Sequence, residues 1–254
     1  LTDKPFGVNI MLMSPYANEI AYMVIEEGVK VITTGAGNPG PFIKDWKEAG
    51  IIVIPVVPSA GLAKRMERAG ADAVVAEGME AGGHIGELTT MVLIPQICDA
   101  VDVPVIAAGG IADGRTFAAA MMLGAVGVQV GTRFLVAKEC NISQAYKDMV
   151  VKAKDIDTIV TGKRLGHPVR CLKSPFSRSY AKCEYDSNVT NEELEKLGSG
   201  ALRLAAVDGD TKNGCFMAGQ SAALVREEQT AKEIIEDMVF GAEKVLKTSG
   251  RWIV

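Results

Sequence analysis

Histidine is scarce in this sequence, with only His84 and His167 among 254 residues. Any imidazole that moves a proton near neutral pH is therefore one of these two. Cysteine is thin as well. Cys98, Cys140, Cys171, Cys183 and Cys215 lie far apart, and none forms a C-x-x-C pair. That spacing argues against a zinc site and against a disulfide framework. Reduced thiols fit a cytoplasmic protein. Positive charge is not in excess: the formal net charge is −4, which excludes bulk nucleic-acid binding. No apolar run is long enough to span a bilayer, so no membrane role is expected. The first residues carry no signal-peptide pattern.

Apolar residues are plentiful. They make up 48% of the chain, enough for one large domain or two small ones. Six runs rich in valine and isoleucine recur: 6–11, 29–33, 51–57, 73–76, 103–108 and 126–130. They do not alternate with polar residues, as expected of strands buried on both faces of a parallel sheet. Segments of helical periodicity at 19–27, 42–49, 62–69, 91–100 and 116–123 separate most of them. Gly28, Gly50, Gly70 and Gly124 each follow such a segment, where a left-handed residue ends a helix. A βα repeat of this kind predicts parallel strands with right-handed crossovers.

Two architectures fit that repeat. In an open doubly wound sheet, Gly35-Ala36-Gly37-Asn38-Pro39-Gly40 would match the dinucleotide pattern G-x-G-x-x-G. Yet two prolines crowd the turn, and the following strand has no acidic end residue to hold a ribose. A closed (β/α)8 TIM barrel explains more, because functional residues there sit where strands end. The strand ends here carry Asn9, Gly35–Gly37, Glu77 to His84, Gly109-Gly110 and Gly131-Thr132. Six of the eight βα units are counted in this chain.

The stretch from Ala76 to Gly86, AEGMEAGGHIG, organises the rest. Its glycines let backbone pass close to a flat or phosphorylated ligand, with His84 among them. A satisfied loop histidine is the plainer reading of the same residue. Gly109-Gly110 and Gly131-Thr132 follow the last two strands, where barrels often bind phosphate through backbone N–H groups. Tight turns of small residues are the alternative.

From 140 to 215 the βα rhythm stops, and a small appended α+β lid is expected. It would contain a helix at 144–153, strands at 158–160 and 169–172, and a short helix at 191–197. Lys163, Arg164, Arg170, Lys173, Arg178 and Lys182 occur there with no acidic residue between Lys163 and Lys182. This is either a docking face for an anionic partner or a solvated surface. His167 reads as structural or surface. Met217, Ala218, Gly219 and Gln220 could let backbone approach a ring system, or simply pack a helix. Asp208-Gly209-Asp210 departs from the EF-hand pattern at Lys212 and Asn213 and reads as a turn. A last helix, with Ala231, Ile234, Ile235, Met238, Val239, Ala242, Val245 and Leu246 on one face, runs within 216–254 and returns to the barrel units of 1–139.

Taken together, the chain resembles the FMN-dependent enoyl-acyl-carrier-protein reductase II branch of the nitronate monooxygenase (2-nitropropane dioxygenase) family. The stretches that carry the resemblance are 6–11, 77–86, 107–113, 129–134 and 217–220, above all Glu80-Ala81-Gly82-Gly83-His84 with Gly86. Gly78-Met79 and Leu88-Thr89-Thr90-Met91 look like the reductase branch. Family members begin with two further βα units, and the chain is expected to lack them. The resemblance implies His84 as the catalytic residue. It implies Asn9, Glu77, Gly82 and Gly83 along the flavin, Gly109, Gly110, Gly131 and Thr132 at the FMN phosphate, and Met217, Ala218, Gly219 and Gln220 near the ring. It further implies NADH or NADPH as co-substrate, an enoyl-acyl carrier protein as partner, and a homodimer. Some reductases of this branch respond to a monovalent cation, but no ligand set for one is visible. The alternative activity is oxidation of alkyl nitronates with FMN and O2. A non-catalytic barrel that binds a phosphorylated ligand is a third possibility.

Overall fold

The computed structural model describes residues 2–252. The first seven strands and five helices follow the expected alternation, with one small interruption. In chain order they are β1 (Gly7–Met11), α1 (Ala17–Glu26), β2 (Val31–Gly35), α2 (Gly40–Glu48), β3 (Ile52–Val57), α3 (Ala60–Ala69) and β4 (Val74–Glu77). Then come β5 (Gly83–His84), α4 (Thr90–Cys98), β6 (Val105–Ala108), α5 (Gly114–Met122) and β7 (Gly127–Gln129). All but β5 form one six-stranded sheet in the order β1-β2-β3-β4-β6-β7. Neighbours from β1 through β6 pair in parallel, for example Val8 with Ile32, Ile32 with Val53, and Val74 with Val105. Strands β1 and β7 are the two edges, so the sheet does not close into a barrel among the described residues.

The chain divides into two compact units. The first holds the sheet and comprises residues up to Glu77 together with Glu87–Ala108 and Ala120–Val128. Ile10, Ile32, Val53, Val57, Val74 and Val75 line its interior. Trp46 of α2 is fully buried. It stacks on Phe42, with ring centroids 5.5 Å apart, and its Nε1 donates to the carbonyl of Ala21 at 2.8 Å. Helix α3 starts at Ser59, whose hydroxyl accepts from the N–H of Leu62, and stops at Gly70 in the left-handed region.

The second unit comprises Gly78–Gly86, Gly109–Ala119 and the chain from Gln129 onward. It contains α6 (Gln144–Lys152), β8 (Thr158–Thr161), β9 (Val169–Leu172), α7 (Pro175–Glu184), α8 (Asn191–Gly198), α9 (Ala201–Arg203) and α10 (Ala231–Thr248). Strand β5 joins β9 and β8 in an antiparallel sheet of order β5-β9-β8. A cluster of Val136, Tyr146, Val150, Leu172, Phe216, Ala222 and Val225 forms a core of this unit. Helix α7 was not expected from the sequence. A capping box nucleates it, Ser174 with Ser177, and Pro175 occupies its first turn. The acidic stretch at 208–210 is only in part the expected turn. Asp208 ends a short π-helical segment, Leu204–Asp208, and Gly209 follows in the left-handed region. Asp210 opens a turn in which its carboxylate accepts from the N–H groups of Lys212 and Asn213.

Candidate active site

His84 sits on β5, which exists because β9 pairs with it: Gly83 lies opposite Arg170 and His84 opposite Val169. Before it, the backbone of 78–83 is fastened from several sides within the second unit. The carbonyl of Glu80 accepts from the N–H of Gln220 at 2.9 Å. Arg170 is buried, and its Nε donates to the carbonyl of Met79 at 3.0 Å while a terminal nitrogen donates to the Thr158 hydroxyl at 3.1 Å. The two chains cross so closely that a Cβ on Gly82 would lie 2.6 Å from the backbone of Ala218 and Gly219. One on Gly219 would lie 2.5 Å from the Glu80 carbonyl.

Most of the remaining phosphate and ring candidates touch this loop or the 217–220 segment that crosses it, Gly131 excepted. A Cβ on Gly109, which has φ of +92°, would meet the Gly78 carbonyl at 2.7 Å. Gly110 lies beside the side chain of Glu80. Gly131 caps a short 3-10 helix, Thr132–Val136, and is exposed, with open space where a side chain would be. The hydroxyl oxygen of Thr132 accepts from the N–H of Gly219 at 2.9 Å, so its own proton is free to donate elsewhere. Met217 bridges to Cys171, and its carbonyl accepts from the buried hydroxyl of Tyr146 at 2.6 Å.

Gly82, Gly83, His84, Gly109, Gly110, Gly131, Thr132, Met217, Ala218, Gly219 and Gln220 thus all belong to the second unit. Asn9 and Glu77 belong to the first. The Asn9 side-chain oxygen accepts from the Thr33 hydroxyl across β1 and β2 at 2.9 Å. Glu77 ends β4, and burial lifts its carboxyl to about 7. The His84 imidazole is half-buried. Burial, and then repulsion from His167, lowers its pKa, which favours the neutral ring.

The basic stretch does not present one face. Arg170 is interior, and the Arg164 guanidinium donates to the carbonyls of Asp186 and Val189. Lys163, Arg178 and Lys182 are exposed. Sequence reasoning counted Arg170 only as charge and Tyr146 only as part of a helix. A tyrosine on the buried face of α6 needs a partner for its hydroxyl, and that need was the available signal. Among the described residues no group of three His, Cys, Asp or Glu side chains is placed to hold a metal, and no helix is long and apolar enough to cross a membrane.

The nitronate monooxygenase family profile matches residues 1–241. The chain belongs to the nitronate monooxygenase family. It is similar in structure to FabK from Thermotoga maritima, with a TM-score of 0.96 and 51% identity over 99% of this chain and 80% of that one. It is 33% identical over 286 residues to a 5-hydroxy-7a-methyl-1-oxo-octahydro-1H-indene-4-carboxyl-CoA dehydrogenase of Rhodococcus jostii, covering 98% of this chain and 81% of that protein. A probable nitronate monooxygenase of Staphylococcus saprophyticus is 38% identical over 237 residues, 88% of this chain and 66% of its own length. The α/β architecture with its six-stranded parallel sheet is that of these TIM-barrel-like oxidoreductases.

Proposed function

We propose that the protein is an FMN-dependent reductase of trans-2-enoyl thioesters carried on an acyl carrier protein, with NADH or NADPH as reductant. The observation that carries this reading is the 51% identity to FabK along nearly the whole chain, including the His84 loop. The kinship to a dehydrogenase named for a carboxyl-CoA substrate also favours a thioester. Open space at Gly131, the available Thr132 hydroxyl proton and the close backbone of Gly109 suit a phosphate and a flat ring. FMN, when bound, supplies the hydride that reaches the β-carbon, and the protein supplies orientation and electrostatics.

His84 then acts at the other end of the double bond. A neutral imidazole N–H donates to the thioester carbonyl oxygen, where negative charge grows as the β-carbon is reduced. The α-carbon takes the proton that completes the reduction, from His84 or from water it orients. Arg170 and the Gln220 N–H hold the backbone that aims His84, through the carbonyls of Met79 and Glu80.

Nitronate oxidation is the second reading, favoured by the family and by the staphylococcal relative. The purified protein, loaded with FMN, is assayed for NADH- and NADPH-driven reduction of a crotonyl thioester and for O2-dependent oxidation of an alkyl nitronate. Faster thioester reduction supports the proposal. Nitronate oxidation without thioester reduction reverses it, and a protein that takes up no FMN removes both.

A further inference from the structure

Both histidines of the chain meet at one short ribbon. With His84 opposite Val169, the β5–β9 pairing continues through Ile85, whose N–H donates to the carbonyl of Pro168 at 3.0 Å. His84 immediately precedes Ile85 and His167 immediately precedes Pro168, so the two histidines are the chain neighbours of that hydrogen-bonded pair, with His167 in the loop two residues ahead of β9. The charge of one ring is felt at the other. The β8–β9 hairpin tip that carries His167 is fixed in place. The His167 N–H donates to the Gly162 carbonyl at 3.1 Å, and the Glu184 carboxylate of α7 accepts from the N–H groups of Gly162 and Arg164.

The charged groups around this ribbon are Arg164, Arg170, Glu184, Lys163, Glu80 and Glu87, of which the first three are hydrogen-bonded to other partners. Arg170, opposite Gly83 and so on the other face, is bonded to Met79 and Thr158 and attracted to Glu80. The Arg164 guanidinium is bonded to Asp186 and Val189. Glu184 is occupied by the hairpin N–H groups, and Lys163 is exposed at the tip. Glu80 and Glu87 flank β5 in the chain. Met217, which lies near Gly83, brings no charge.

We propose that His167 is a positioning residue for the chemistry at His84: when protonated, it keeps the His84 imidazole neutral, the form that donates or accepts a proton at the substrate. This rests on the reading of His84 as the acid–base group. The electrostatics agree in sign, since the charged neighbour that disfavours protonated His84 is His167. A positive charge at position 167 opposes a second one on the His84 ring and so favours its neutral form.

The test uses His167→Gln and His167→Lys in the full chain. His167→Gln leaves one histidine, so a single imidazole resonance in a 15N NMR titration reports His84 directly. The midpoint is expected to move to higher pH in His167→Gln than in the wild type, and to lower pH in His167→Lys than in His167→Gln. The acidic limb of kcat/KM for thioester reduction should move in the same two directions. Loss of packing alone does not shift the two variants in opposite senses. A His84 midpoint equal in all three proteins overturns the proposal. Because the titration needs no turnover, absence of thioester reduction strikes the enzymatic reading and leaves the pairing standing or falling on the midpoints.

Discussion

The two compact units cohere by different means. In the first, the sheet is built of runs such as Ile52–Val57 and Val74–Glu77, with Ile43, Trp46, Met66, Leu93 and Ile97 buried along the helices. Area removed from water dominates such a unit. The second unit also has an apolar core, but the segments bearing the site candidates are joined by single hydrogen bonds between distant parts of the chain. Tyr146 reaches Met217, Thr132 reaches Gly219, Arg170 reaches Met79, and Gln220 reaches Glu80. The lesson is a division of labour. Burial gives the sheet unit its stability, whereas polar links and close backbone crossings set the geometry around His84.

The strongest test pairs one residue from each unit. Trp46→Ala removes a fully buried ring and the partner of the Ala21 carbonyl, and is expected to cost about 3–5 kcal/mol of stability in urea unfolding. Turnover per folded molecule should be unchanged. His84→Ala should lower thioester turnover by about 10²–10⁴ with unfolding almost unaffected. A His84→Ala protein that unfolds as easily as Trp46→Ala would break the comparison.

Next in size is the polar exception inside the sheet unit. The Glu77 carboxyl, at about 7 in the folded protein against an ordinary 4.5, binds its proton more tightly folded than unfolded. Its contribution to stability is therefore full below the unfolded value and is lost as pH rises from 4.5 to about 7. The loss approaches about 3 kcal/mol, and Glu77→Gln should abolish that slope when flavin-free protein is unfolded at pH 5 and at pH 8. An unaltered slope would mean that the sheet unit tolerates a charge at the tip of β4 as easily as a loop does.

The same contrast governs what could be read from the chain. Runs of valine and isoleucine marked β1 to β4, β6 and β7, but only the central β4 and β6 are buried along nearly their whole length. Strands β1 and β7, at the edges of the sheet, are largely exposed or half-exposed, so burial on both faces holds for the middle of the sheet alone. The helices α1 to α6, α8 and α10 carried readable apolar faces. Strand β5 is two residues of a glycine loop, and only the distant Val169–Leu172 makes it a strand. Helix α7 hid within a stretch noticed for its charge, although Ser174, Pro175 and Ser177 are ordinary start signals. Arg170 shows the limit most clearly. Lysine and arginine look alike to a charge count, and burial against Met79 is decided by pairing between segments far apart in sequence. His84 stands out in the sequence as a candidate because it is one of two histidines and sits among glycines. Its relation to His167 does not, since it depends on register.

The finest test adds one methyl group to each unit. Gly61 lies in the first turn of α3, with nothing within 4 Å of the position a Cβ would take. Gly61→Ala should stabilise by up to about 0.5–1 kcal/mol, because the unfolded chain loses freedom and no neighbour is disturbed. Gly219 has an ordinary φ of −78°, so alanine there is not strained by conformation. Space alone forbids it: the new carbon would fall 2.5 Å from the Glu80 carbonyl. Separating those chains should cost about 1–3 kcal/mol and lower the FMN retained on purification. Thermal unfolding and flavin absorbance measure both effects on the same samples. If Gly219→Ala kept its flavin and melted like Gly61→Ala, the crossing of 80–82 with 218–219 would not be what holds the site in register.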